Sequence, residues 1–287
     1  MEHKVFDFDT AELVGDFVNG SAEWHEARKG SLGGSQVGAV LGLNPWESPY
    51  TAWLKVTGQI ESKITPSMSM RLGTKLEAPI LEIFSEEHSG KVYTTGTYRH
   101  KIDTWKHANP DAIYDAGDGL TVVEIKYSSD FWVEPPRHYV AQVNWYMHVL
   151  GLRRAVIVAL AGSSYKEFWI DYDPFAIEAM LERVNEFWAC VTEMRRPEFD
   201  GSESTYQSVR EMNRDLVDED CELGFGGVKL LEAKEAFDQA QAEFRLAQST
   251  ILDGMGSAKY GVVEGVRVVT RQMSSAGVPF LRFAKGK

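Results

Sequence analysis

Asp111, Glu124 and Lys126 stand in the order Pro-Asp, a gap of twelve residues, then Glu-x-Lys. The second half of that pattern lies in Val122-Val123-Glu124-Ile125-Lys126-Tyr127, whose β-branched and aromatic residues predict a strand. Side chains alternate across a strand, so Glu124 and Lys126 fall on one face and Val123, Ile125 and Tyr127 on the other. If Pro110-Asp111 ends the neighbouring strand, Asp111 and Glu124 converge with Lys126 beside them. Two carboxylates and the Ile125 carbonyl form the hard oxygen set that Mg²⁺ prefers. An ammonium beside a metal-bound water lowers the cost of forming hydroxide. Glu77, in an amphipathic stretch, reaches such a metal directly or through water. Gln142, sixteen residues past Lys126, supplies an amide that orients water or a phosphate oxygen without adding charge.

Each residue also has a plainer reading. Asp111 suits a turn, Glu124 and Lys126 suit a same-face pair on an edge strand, and Glu77 and Gln142 suit helix surfaces. Their joint occurrence in this order favours the chemistry, because an unpaired charge inside an apolar strand is costly.

The elements that must position these groups are legible in the punctuation. Residues 21–58 read as helix, glycine-rich turn, helix, Asn-Pro turn and helix, with Ser35 as an N-cap and Ser48 or Pro49 starting the third helix. Leu72, Leu76, Ile80, Ile83 and Phe84 place an amphipathic helix over 68–89. From 91 to 126, short runs broken at Gly96, at Asn109-Pro110 and at the Asp115–Gly119 turn predict a three-stranded antiparallel meander. Tyr139, Val143, Tyr146, Met147 and Leu150 give a helix ended by Gly151, followed by two strands and a long helix introduced by Pro174. The order predicts an α+β core with one mixed sheet. Residues 197–227 read as an acidic linker, and beyond them come a long helix and a terminal hairpin. The expected division is therefore a core over 1–200 and an appendage over 201–287.

The chain has 287 residues, 44% of them hydrophobic and 25% charged, in the range of ordinary globular proteins. No run approaches a membrane span of ~18 apolar residues, and the acidic start Met1-Glu2-His3 is unlike a signal peptide, so the expected location is cytoplasmic, with no membrane partner. Cys190 and Cys221 are expected to be free thiols, and His25, His88, His107, His138 and His148 make no zinc-ligand pattern. A net charge of -12 argues against an extended nucleic-acid surface. It is compatible with a small basic groove, or with carboxylates offset by bound metal ions. Pro45-Trp46 fits either a wedge or stacking group against a base or a tryptophan packed beneath a loop.

The set Pro110-Asp111, Glu124-Ile125-Lys126 resembles the PD-(D/E)xK nuclease superfamily. The wider runs "WHEARKGSLGGSQVGAVLG", "RLGTKLEAPIL", "NPDAIYD", "VEIKY" and "YVAQVNWYMHVLG" are similar to the lambda-exonuclease, or YqaJ-like phage recombinase, family over about Trp24 to Asp173. The resemblance implies a restriction-endonuclease-like core, a central mixed sheet flanked by helices, with a small C-terminal helix and hairpin appended. It further implies a two-metal phosphodiesterase that degrades one strand of double-stranded DNA from a 5′ end, with Mg²⁺ as cofactor and Mn²⁺ as a substitute. Carried onto this chain, Asp111 contacts both ions, Glu124 and the Ile125 carbonyl one, and Glu77 an ion through water. Lys126 activates the water, Gln142 helps place it, and Arg28 and Ser35 bind the 5′-phosphate. Arg28 offers a bidentate fork and Ser35 lies at an expected helix start, although apart from the resemblance a surface arginine and a plain cap are the readier explanations. A trimeric ring, a single-strand annealing protein as partner, and a phage or prophage origin in a bacterial host follow from the same resemblance. The competing readings are a structure- or site-specific endonuclease on this fold, and an inactive DNA-end-binding recombination scaffold.

Overall fold

The structure is a computed structural model that describes residues 1–17, 21–60 and 66–284; the side chain of residue 25 is not described. The chain divides into two compact units, Met1–Asp215 and Leu216–Lys287.

The first unit begins with β1 (Glu2–His3), β2 (Ala11–Gly15), α1 (Ala22–Ala27), β3 (Leu32–Gly33), α2 (Gly34–Val40), α3 (Pro49–Val56) and α4 (Met68–Glu87). Strands β4 (Lys91–Thr94), β5 (Thr97–His100), β6 (Lys106–Ala108), β7 (Ala112–Asp115) and β8 (Leu120–Ser128) follow. The unit closes with α5 (Arg137–Leu150), β9 (Arg154–Ala161), β10 (Ser164–Asp171), α6 (Pro174–Thr192) and α7 (Glu203–Met212).

A six-stranded mixed sheet, in the order β1-β4-β7-β8-β9-β10, is its centre. Strands β8 and β9 run parallel from Thr121↔Arg154 to Ser128↔Ala161, so α5 is the crossover between them. A parallel pair is buried on both faces, which is why β9 reads as an unbroken apolar run instead of an alternating one. Val122, Ala155 and Ile157 pack on the side of α2, α3, α5 and α6. Val123, Ile125, Val156 and Val158 pack on the other side, under Ile80, Leu81 and Phe84 of α4. Burying each such large apolar side chain contributes about 1.5–3 kcal/mol.

The predicted meander is replaced by two sheets. β7 pairs antiparallel with both β4 and β8. β5 and β6 leave at the turn around Gly96 to join β2 and β3 in a four-stranded sheet of order β2-β5-β6-β3. A Cβ on Gly96 would lie 2.7 Å from the Gly15 carbonyl oxygen, so the departure depends on that close backbone approach.

Ser35 is not the cap of α2. Gly33 occupies that position, its amide donating to Gln36 Oε1 at 3.0 Å, and Ser35 is an exposed residue inside the helix. Ser48 does cap α3, accepting from the Thr51 amide at 3.1 Å. The expected core boundary after residue 200 moves to Asp215, because α7 docks on α3: Thr51 Oγ1 donates to the Ser204 carbonyl at 3.1 Å, and the Ser48 amide donates to Ser204 Oγ at 3.2 Å.

The second unit contains α8 (Gly224–Gly254) and a three-stranded antiparallel sheet of β11 (Tyr260–Val263), β12 (Val266–Met273) and β13 (Pro279–Phe283). Phe244 of α8 stacks on Phe283 of β13 with ring centroids 5.7 Å apart. Among the described residues no helix is long and apolar enough to cross a membrane.

Candidate active site

β8 carries the chemistry because its alternation delivers unlike groups to two sides of one strand. Glu124 and Lys126 lie on the α5 side, in line with Val122, and the Lys126 ammonium forms an ion pair with Glu124 Oε1. Gln142 on α5 donates from Nε2 to the same oxygen at 2.6 Å and approaches the Tyr146 hydroxyl at 3.0 Å. Asp111 precedes β7, and its Oδ2 accepts the Ile125 amide at 2.7 Å. That bond ties the Pro-Asp turn to the middle of the Glu-x-Lys segment. Asp111, Glu124, Ile125 and Lys126 line a cleft of about 1440 Å³ at the C-terminal end of β8, and Glu77 enters it from α4.

The electrostatics are those of crowded carboxylates. Burial, reinforced by Asp111, pushes the Glu124 carboxyl up to about 8, and burial followed by Asp111 raises Glu77 to about 7. Asp111 is raised by burial against the pull of Lys126 and the Ile125 amide. Burial opposes the Lys126 charge, yet Glu124 and Asp111 outweigh it and hold its pKa above the usual lysine value. One ammonium thus stands among three carboxylates, an imbalance that a divalent cation relieves.

Glu124 Oε2 is buried and has no hydrogen-bond partner. A buried carboxylate oxygen without a donor is costly, and an oxygen-seeking cation beside the Ile125 carbonyl satisfies it. The residues therefore fit Mg²⁺. They do so as two carboxylates and a carbonyl, since among the described residues no three His, Cys, Asp or Glu side chains are gathered as a ligand set.

Arg28 and Ser35 do not line this cleft. Arg28 lies with its guanidinium 4.2 Å from the Trp24 ring centroid, and a Cβ on Gly33 would fall 2.2 Å from Arg28 Nη2. Its pKa is lowered by burial, with Tyr146 acting in the opposite sense. The buried Tyr146 phenol is held neutral by burial and by Glu124. Glu124 and Arg28 act on Tyr146 in opposite senses, the carboxylate raising and the guanidinium lowering its pKa.

Tyr139 and Tyr146 read in the sequence as apolar-face residues of α5, and their polar roles were missed. Lys126 Nζ lies 4.8 Å from the Tyr139 ring centroid, a cation–π contact that fixes the ammonium. Both tyrosines fall at helical spacing from Gln142, one turn before and one turn after, which is the signal that marks them. Trp46 is 71% exposed at the cleft and not packed beneath its loop.

Residues 23–153 match the YqaJ-like viral recombinase domain family. The uncharacterized protein YqaJ of Bacillus subtilis (strain 168) is 28% identical over 258 residues, covering 84% of this chain and 80% of its own. In fold, the chain is similar to the alkaline exonuclease LHK-Exo from Laribacter hongkongensis, with a TM-score of 0.50 at 19% identity. The complex of LHK-Exo with dAMP gives 0.53 at 21% identity. Each match covers 68% of this chain and 100% of the other.

Proposed function

From the match of residues 23–153 to the YqaJ-like viral recombinase domain family and the geometry of the cleft, we propose that the protein is a metal-dependent exonuclease. It hydrolyses one strand of double-stranded DNA from its 5′ end and leaves a 3′ single strand for recombination. The observation that carries this reading is the partnerless Glu124 Oε2, buried beside Asp111 and Lys126 in a cleft at the end of β8.

Asp111, Glu124 and the Ile125 carbonyl would hold Mg²⁺, or Mn²⁺ on the same oxygens, with Glu77 acting through water; ions held there would supply Lewis-acid polarisation of the phosphate and a lowered pKa for water. Lys126, held as an ammonium, orients that water and stabilises the negative charge that develops on it as its proton passes to solvent. Gln142 fixes the Glu124 carboxylate, and Tyr146 fixes Gln142. Arg28 and Ser35, which do not line the cleft itself, are proposed as the contacts to the 5′-phosphate. The proposed partners are DNA ends, a single-strand annealing protein, and further copies of the chain in a trimeric ring, acting in the bacterial cytoplasm.

The test is strand-resolved digestion of a duplex labelled at one 5′ end, with and without a 5′-phosphate, beside closed circular DNA. The expected result is Mg²⁺-dependent release of 5′ nucleotides from linear duplex alone, fastest from phosphorylated ends. Cutting of closed circles would replace this reading with an endonuclease, and no release with either ion would leave an end-binding scaffold.

A further inference from the structure

We propose that Trp46, backed by His138, is a stacking shelf for a nucleobase of the DNA strand entering the cleft. The strand is then held through a base as well as through its phosphates. This rests on the nuclease reading of the same cleft.

Trp46 is a large apolar side chain exposed to 71%, yet the loop that carries it is tied down at both ends. The Leu43 and Asn44 amides donate to the Gly38 carbonyl at 2.8 and 3.0 Å, and the Trp46 amide donates to Asn44 Oδ1 at 2.9 Å. Glu47 pairs with Lys55 of α3, and Ser48 caps that helix. A tethered loop that leaves an indole in water gains nothing from burial there. The exposed ring is positioned for something outside the fold.

The indole meets the His138 ring at 85° with centroids 5.5 Å apart. His138 in turn lies 4.0 Å from the Tyr139 ring centroid, and Tyr139 carries the Lys126 ammonium. An aromatic path therefore runs from the rim to the group that handles the water. Its footing is firm, because a Cβ on Gly38 would sit 2.7 Å from His138 Cβ; α2 and α5 touch there with no side chain between them. A perpendicular contact at one place leaves most of the indole free. Flat, sequence-independent surfaces of this kind suit bases, all of which have a π face.

The test compares wild type, Trp46→Ala and Trp46→Phe. Binding of a short 5′-phosphorylated oligonucleotide is read by fluorescence anisotropy without divalent ions, with the terminal nucleotides normal or abasic. Digestion of the matching duplexes is read with Mg²⁺. Trp46→Ala is expected to weaken binding of the normal strand about 5- to 100-fold, and Trp46→Phe to retain most of it. The abasic strand is expected to bind wild type as weakly as Trp46→Ala binds the normal one, with no further loss when both changes are combined. Since Trp46 is exposed, removing it leaves no cavity, and all three proteins should melt alike. Equal binding by wild type and Trp46→Ala, or losses that multiply, would overturn the shelf. If wild type cuts nothing but binding still depends on Trp46, the exonuclease reading falls and the shelf stands.

Discussion

Gln142 Nε2 lies 2.6 Å from Glu124 Oε1, while Glu124 Oε2 is buried without a partner. One oxygen of the carboxylate is anchored and the other is left to a ligand. Gln142→Ala should free the carboxylate to turn, costing about 10- to 100-fold in activity or metal affinity, the usual effect of losing a group that orients a ligand. The check is the rate at several Mg²⁺ concentrations beside a melting curve. An unchanged metal requirement would reassign Gln142 to packing.

The contact between Lys126 and Tyr139 predicts a graded series. Tyr139→Phe keeps the ring face and should retain near-normal turnover. Tyr139→Ala removes a contact of about 0.5–2 kcal/mol and should lower kcat about 2- to 30-fold, with KM for DNA ends changed less. Equal losses in the two variants would mean that the hydroxyl, and not the ring, is what matters.

Gly34 faces Tyr146 so closely that an added Cβ would lie 2.4 Å from a ring carbon. Gly34→Ala should displace the ring that steadies Gln142, lowering stability by about 1–3 kcal/mol and activity further than Tyr146→Phe lowers it. Denaturant titration and initial rates on the two variants decide this. A stable, fully active Gly34→Ala would show that Tyr146 shifts without consequence.

These features divide sharply in how far they were readable in the chain. The β8 pattern, α5 with its Gly151 stop and α6 from Pro174 were legible, because each is long enough for its periodicity to show. Strands β1 and β3 have two residues each and exist only through pairing with β4 and β6, which no local pattern announces. Gly33 displaced Ser35 as a cap because a glutamine three residues on satisfies the Gly33 amide, a backbone interaction with no side-chain signature at the capping position. Helix α7 was hidden inside a polar stretch, since its buried residues are Thr205 and Ser208 and its contacts with α3 are hydrogen bonds. In the site, the charged groups were legible by type. The tyrosines that hold them were not, because an aromatic on a helix looks the same whether it fills space or carries a polar contact.

A buried histidine, His107, and a partly buried one, His148, give a pH dependence. Burial, then Lys106 and His100, lowers His148 to about 4, with Asp103 opposing. Burial, then Arg28, lowers His107 to about 4. In the unfolded chain both titrate near ~6.5, so between those values the unfolded state binds protons that the folded state does not, and stability falls as pH drops from 6.5 to 4. Lys106 Nζ and His148 Nε2 are 3.4 Å apart, so His148→Gln keeps an acceptor but loses the titration. Its melting temperature should fall less steeply over this window than that of wild type; identical slopes would exclude His148 as a contributor.

Helix α5 carries His138, Gln142 and Tyr146 at successive turns, and its first turn touches α2 at Gly38. The spacing of the ring that backs Trp46, the amide that anchors Glu124 and the phenol behind that amide is therefore set by the pitch of a single helix. One residue inserted between His138 and Gln142 would rotate Gln142 and Tyr146 by about 100° relative to His138 and separate the rim of the cleft from its carboxylate.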